Sequence, residues 1–250
     1  MRSLGRRYGR LFLRRVILRH PARAVGAALR YWRLPARPSN VGEVVGVFAG
    51  SEEKFISRIS GHGSSLLVGV GFCQKPLEPG CPSGRANHDC VYLDRLDLAS
   101  DTGPTDPACS RCSVKEIGTL ALGAGSCLYV MTSAEDIALD VMIPSLEEGR
   151  FSSFIMALCP YSVRVIRLPL FMCGLEGYVL AYHSGACANW DQWLRADEGF
   201  KDEVTELGPV AREKMVSVLS AIGEVRRQEG VEYQRFEKRG NIYTPTQSEV

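Results

Sequence analysis

Apolar and polar residues are unevenly spread along the chain. Residues 65–72 (SLLVGVGF) form a continuous apolar run, the pattern of a strand buried on both faces. Residues 113–123 put Ile117, Leu120 and Ala121 on one helical face. Residues 127–131 (CLYVM) read as a second strand. Ser133 then caps a helix over 134–139 that extends to about 148 with a bend near Pro144. Residues 154–158 predict a third strand, and 165–171 (VIRLPLF) a fourth, at an edge because Pro169 has no amide to donate.

The ends of the chain are patterned differently. Residues 3–19 read as one basic helix, and Pro21 opens a second. In that second helix Val25, Ala28, Leu29 and Trp32 fall at i, i+3, i+4 and i+7, a single apolar stripe. Pro35, Pro38, Ser39 and Asn40 make a linker. A short amphipathic segment over 44–59 is broken at Gly61-His62-Gly63. Pro209 opens a last helix with Met215, Val218, Leu219, Ile222 and Val225 on one face, and the polar tail after Gly230 reads as frayed.

Strands alternating with helices predict βαβ units. The expected fold is a three-layer α/β domain with a mostly parallel sheet and helical N- and C-terminal appendages. Its parts are a basic arm (1–42), a cysteine-rich α/β domain (43–200), and a C-terminal helix with a polar tail (201–250). No internal repeat interrupts this order.

Charge sharpens the division. The 250 residues carry a formal +2, yet residues 1–42 hold eleven Arg and no acid. The remainder keeps 19 of the 30 basic residues against all 28 acidic ones, a formal −9. An Arg-rich arm interleaved with Leu, Phe, Tyr and Trp fits an anionic membrane surface, here through residues 1–34. Docking on the acidic core of its own chain is the next reading, and nucleic acid is the least favoured. No apolar run approaches the ~18 residues of a membrane span. Arg14 and Arg15 interrupt the apolar residues that a secretory signal would need, so a cytoplasmic protein is expected, peripheral at the inner face of the membrane if the arm binds lipid. An organellar transit peptide is the weaker alternative.

Composition adds nine Cys against four His. An odd number of Cys in a chain large enough to build a core argues against a secreted disulfide scaffold. On the strand reading, Cys73 follows the first strand, and Cys81 and Cys90 lie in the loop beyond it. Cys109 and Cys112 form a C-x-x-C opening the next helix, Cys159 follows the third strand, Cys173 the fourth, and Cys187 the loop after that. In a parallel sheet the carboxyl ends of the strands share one edge, so eight thiols are expected there, with Cys127 at the other. Soft thiolates suit one or two [4Fe–4S] clusters, or zinc as the alternative. Arg85 and His88, between Cys81 and Cys90, are candidates to donate hydrogen bonds to a bound cluster. His62, His183 and Glu135 also fall near this edge, and Tyr182, Trp190 and Trp193 read as core or pocket aromatics. G-x-G-x-x-G, Walker A, H-E-x-x-H and a Ser-His-Asp arrangement are absent.

Three functions stay open. The leading one is an iron–sulfur protein of electron transfer or sulfur and cofactor metabolism, with a redox partner protein. The second is a zinc-stabilised, non-catalytic module recruited to a membrane. The third is a thiol oxidoreductase using Cys109 and Cys112. Whether the chain is an enzyme is not decided by these residues.

Several of these features occur in a fixed order. A Cys follows an apolar strand, Cys81-Pro82 and a further Cys lie in the loop, and a C-x-x-C opens a helix. Ala157-Leu-Cys-Pro-Tyr161 then forms a turn, and Leu168-Pro-Leu precedes Cys173-Gly174. Over about residues 65–195 this order resembles a cysteine-rich archaeal and bacterial domain family with no assigned function, some of whose members are associated with lipoate–protein ligase domains. The resemblance implies iron–sulfur binding through Cys73, Cys81, Cys90, Cys109, Cys112, Cys159 and Cys173. The chain departs from that family at Phe72-Cys73, where His-Cys is expected, and in its Arg-rich arm.

Overall fold

A computed structural model describes residues 4–33, 40, 42–48, 50–61, 66–100, 106–230, 233 and 235–246. Helices α1 (Leu4–Phe12) and α2 (Pro21–Trp32) are joined by a π-helical turn at Leu13–Ile17. Strand β1 (Val44–Val47) leads to α3 (Glu52–Ser60), whose first turn is capped by the Ser51 hydroxyl. Strand β2 (Leu66–Gly71) runs into a long loop and then α4 (Ser113–Gly123). Strand β3 (Cys127–Met131) is followed by α5 (Ala134–Ile137), a π-helical turn at Ala138–Met142, and α6 (Ile143–Glu148). Pro144 sits in the first turn of α6, where its missing amide costs least, so the bend falls upstream of it.

Strand β4 (Ser153–Leu158) leads to α7 (Pro160–Cys173), and β5 (Glu176–Ser184) to α8 (Trp190–Asp197). The short β6 (Glu206–Leu207), α9 (Pro209–Gln228), β7 (Arg235–Arg239) and β8 (Ile242–Thr246) complete the chain.

The result is a three-layer α/β fold. The sheet runs β1-β5-β4-β2-β3-β8-β7, with β6 paired to β5 off this path. Strands β5, β4, β2 and β3 are mutually parallel, while β1, β6 and the β7–β8 hairpin pair antiparallel. Alternation along each strand builds two cores. Val68, Leu128, Ile155 and Leu180 face α4 and α9. Leu67, Tyr129, Phe154 and Val179 face the α5–α7 side, together with Phe12, Val16, Ala24 and Ala27 of the arm. Buried Arg226 of α9 ties one layer together, donating to the carbonyls of Ile59, Ser60 and Ala124.

Two expectations are corrected. Residues 165–171 are not a strand: they lie in α7, which Pro160 opens and Gly174 ends in the left-handed conformation. Val163, Leu170 and Cys173 recur at helical spacing on its buried side while Val165 points outward. The fourth parallel strand is β5 instead. The tail after Gly230 is not frayed over 235–246. It makes a hairpin with a two-residue turn, Gly240-Asn241, that docks on β3 through buried Ile242 and Tyr243. The Val25, Leu29 and Trp32 stripe of α2 faces outward, while Ala24 and Ala27 face the core. The expected linker at Pro35, Pro38 and Ser39 and the break at His62-Gly63 lie outside the described residues.

Candidate metal centre and thiol pocket

The parallel strands lie in the order β3-β2-β4-β5. The chain moves from β2 outward to β3, then crosses to β4 on the other side. A reversal of this kind opens a crevice at the carboxyl ends of the two central strands, here β2 and β4. Cys73 sits in the single turn (Phe72–Gln74) that ends β2, and Cys159 is the residue between β4 and α7. Cys112 is the N-cap of α4, Cys109 lies in the turn before it, and Cys187 follows β5. With Cys81 and Cys90 in the loop after β2, seven thiols lie toward this edge.

Cys173 does not join them. It ends α7 just before β5 starts, so it lies at the opposite edge with Cys127, the first residue of β3. Its expected place at the carboxyl edge depends on residues 165–171 being a strand, and they are helical. Burial pushes Cys173 up to about 12 and Cys127 to about 11, the behaviour of apolar packing residues.

The seven thiols divide into two sets. The first is Cys81, Cys90, Cys109 and Cys112. Cys90 and Cys109 each feel Cys81 and Cys112 electrostatically, and Cys112 also feels Cys81. Burial raises Cys109 and Cys112 and takes Cys90 to about 11. Backbone amides oppose this. Those of Leu93 and Tyr92 face the Cys90 sulfur, and those of Lys115 and Val114 face Cys112, so both sulfurs sit where backbone dipoles favour negative charge.

Lys75 lies beside this set and is 1 % exposed. Its ammonium donates to the Asn87 side chain at 2.6 Å, to the Asn87 carbonyl at 2.9 Å and to the Gly84 carbonyl at 3.2 Å. All three acceptors are neutral. Burial lowers its pKa, and Cys81, Cys90, Asp89 and Cys112 oppose that. A buried ammonium without a directly bonded counter-charge is costly, and the groups placed to supply one are chiefly thiols.

Arg85 and His88 serve this loop as fasteners. Arg85 donates to the carbonyls of Lys75, Cys73, Lys201 and Glu203, clamping the loop after β2 to the segment before β6. His88 places Nδ1 2.7 Å from the Val130 carbonyl and Nε2 3.2 Å from the Thr132 hydroxyl, and stacks on Tyr129. The donors of Arg85 go to backbone oxygens, and both His88 nitrogens face the end of β3. Tyr243 of the hairpin adds a pin, accepting from the Cys90 amide and donating to Asp94. These bonds explain how a loop without long elements is held between β2 and α4.

The second set is Cys73, Cys159 and Cys187, beside the β2–β4 crevice. The Thr205 hydroxyl donates to Cys73 sulfur at 2.9 Å, and the Cys187 amide to Cys159 sulfur at 3.3 Å. The Cys159 thiol keeps its proton and donates toward Cys187, which together with Lys201 lowers Cys187 to about 7. A largely apolar cavity of about 110 Å³ opens beside these sulfurs, lined also by Tyr182, Trp193, Asp197 and Lys201. Of the expected aromatics, Tyr182 and Trp193 therefore line a pocket, while Trp190 stacks on Trp193 at 4.9 Å.

Asp197 accepts from the Ala134 amide at the start of α5, and burial raises its carboxyl to about 6. A carboxyl raised in the folded state stabilises the fold fully below its unfolded value and loses that contribution as pH rises toward 6. The Asp197 contribution to stability is expected to fall by about 1–2 kcal/mol between pH 4 and pH 6.5, after allowing for solvent screening. Asp197→Asn should flatten that slope in urea melts at the two pH values, and an unchanged slope would remove Asp197 as its source.

Among the described residues, no three or more Cys, His, Asp or Glu side chains are gathered into a metal-holding arrangement. The thiols of the first set influence one another electrostatically without forming such a group. No known protein family, curated protein or solved structure matches the chain. Lys75, Asp197, Lys201 and Thr205 were not legible as site residues. Only Lys75 carried a signal, as the lone charge directly after a strand and its Cys.

Proposed function

We propose that the chain is an iron–sulfur protein in which Cys81, Cys90, Cys109 and Cys112 hold a [4Fe–4S] cluster, working in electron transfer or in sulfur and cofactor metabolism. The observation that carries this reading is Lys75, a buried ammonium that feels Cys81, Cys90 and Cys112 and is bonded only to neutral oxygens. A cluster with four thiolates is anionic and would supply the missing counter-charge. Amides already facing two of the sulfurs fit the same role. Binding requires the four sulfurs to close on the metal. Once bound, the cluster would supply one-electron chemistry, while Lys75 and the amides offset its charge and Arg85 keeps the loop in place. Free thiols in a reducing cytoplasm, with a redox partner protein, fit this reading.

The test is iron and sulfide quantification on full-length protein prepared anaerobically. About four irons and four sulfides per chain with brown absorption are expected. Colourless, iron-free protein would overturn the reading, and one zinc without visible absorption would assign the same four thiols to a structural zinc module instead.

A second reading rests on a separate observation. Cys159 donates toward the Cys187 sulfur beside an apolar pocket, an arrangement that favours thiol–disulfide chemistry at the crevice. This pair replaces Cys109 and Cys112 as the preferred redox couple.

A further inference from the structure

We propose that the outer face of the N-terminal helices docks on an anionic lipid surface. The arm has two sides. Phe12, Val16, Ala24 and Ala27 are buried against the chain's own core, and Arg15 and Arg19 pair with Glu147. Docking on the protein's own core is thus one part of what the arm does, and it leaves the other side free.

That other side is apolar and cationic together. Val25, Leu29 and Trp32 lie at i, i+4 and i+7 of α2 and are 61 %, 50 % and 78 % exposed. Leu13 and Leu18, in and after the π-helical turn, are 45 % and 67 % exposed. Single exposed apolar residues are ordinary, but five within twenty residues, three of them in one helical row, are not. Arg10, Arg14, Arg23 and Arg33 are exposed and make no ion pair among the described residues.

The chemistry selects the occupant. A second copy of this face would set Arg against Arg. Phosphates of a nucleic acid would satisfy the arginines but leave Leu29 and Trp32 in water. An anionic bilayer satisfies both, because aliphatic side chains enter the acyl boundary, Trp sits at the interface, and long Arg stems reach lipid phosphates. No helix among the described residues is long and apolar enough to cross a membrane, so contact through this face would be peripheral.

The test uses the full chain with phosphatidylcholine vesicles containing about 30 % phosphatidylglycerol, against pure phosphatidylcholine. Co-sedimentation is expected only with the anionic vesicles, and a Leu29→Ala, Trp32→Ala variant should bind about tenfold more weakly or worse. Both side chains are exposed, so the variant should keep the parent's thermal melt. If it does not, Trp32→Phe serves instead, and quenching of the protein's fluorescence by brominated lipid should then fall relative to the parent. Equal binding to neutral and anionic vesicles would overturn the proposal. So would undiminished binding by a folded double variant, undiminished quenching in Trp32→Phe, or stronger binding to a random DNA duplex than to anionic vesicles.

Discussion

Cys112→Ser is expected to lower the iron content of anaerobically prepared protein from about four atoms per chain to fewer than about one, with loss of the visible absorption. Cys112 caps α4, has two amides facing its sulfur, and is felt by Lys75, Cys90 and Cys109. Serine is close in size and is a favoured N-cap residue, but it is a poor ligand for a soft metal, so the fold should survive while the cluster does not. Cys81→Ser, Cys90→Ser and Cys109→Ser should behave alike. The controls make the result specific. Cys127→Ser and Cys173→Ser change thiols at the opposite edge and should leave the iron unchanged, although burying a hydroxyl there will cost some stability. Cys159→Ser and Cys187→Ser should also leave it unchanged, since they belong to the crevice set. Iron that followed Cys159 and Cys187 while ignoring Cys90 and Cys112 would move the cluster to the three-thiol site at the crevice.

This division into two sets was beyond the reach of sequence. The strands over 66–71 and 127–131 were legible because each is apolar on both faces, and α4 because its stripe is regular. From strand ends alone, topology placed eight thiols at the carboxyl edge, and seven of them lie there. Residues 165–171 failed because a short apolar run does not distinguish a buried strand from one side of a helix, and that error carried Cys173 to the wrong edge. The hairpin failed for the opposite reason. Arg235–Arg239 lies at the sheet edge and carries mostly polar side chains, so the apolar signal of the hairpin is confined to Ile242-Tyr243 and Pro245 in the returning strand. Which thiols neighbour one another depends on the path of the 73–112 loop. That path is set by Lys75, Arg85, Asn87 and Tyr243 bonding to backbone atoms and to one another across distances in sequence that no spacing rule reports.

Lys75→Met should separate the metal reading from a plain loop. In the metal-free chain the substitution has opposing effects. It strands the acceptors at Gly84 and Asn87, yet it removes a buried charge whose bonded partners are all neutral. Those effects partly cancel, so urea unfolding should show a loss of only about 1–2 kcal/mol. In the loaded chain the ammonium would face an anionic centre. Removing it leaves that charge buried and uncompensated, and the loss should grow to about 3–5 kcal/mol. The same charge change favours the oxidised cluster, since reduction adds negative charge, so the potential should move to more negative values. Both signs follow from one buried cation that feels Cys81, Cys90 and Cys112. Equal losses in the loaded and metal-free states, with an unmoved potential, would make Lys75 a loop fastener like Arg85 and detach it from any metal.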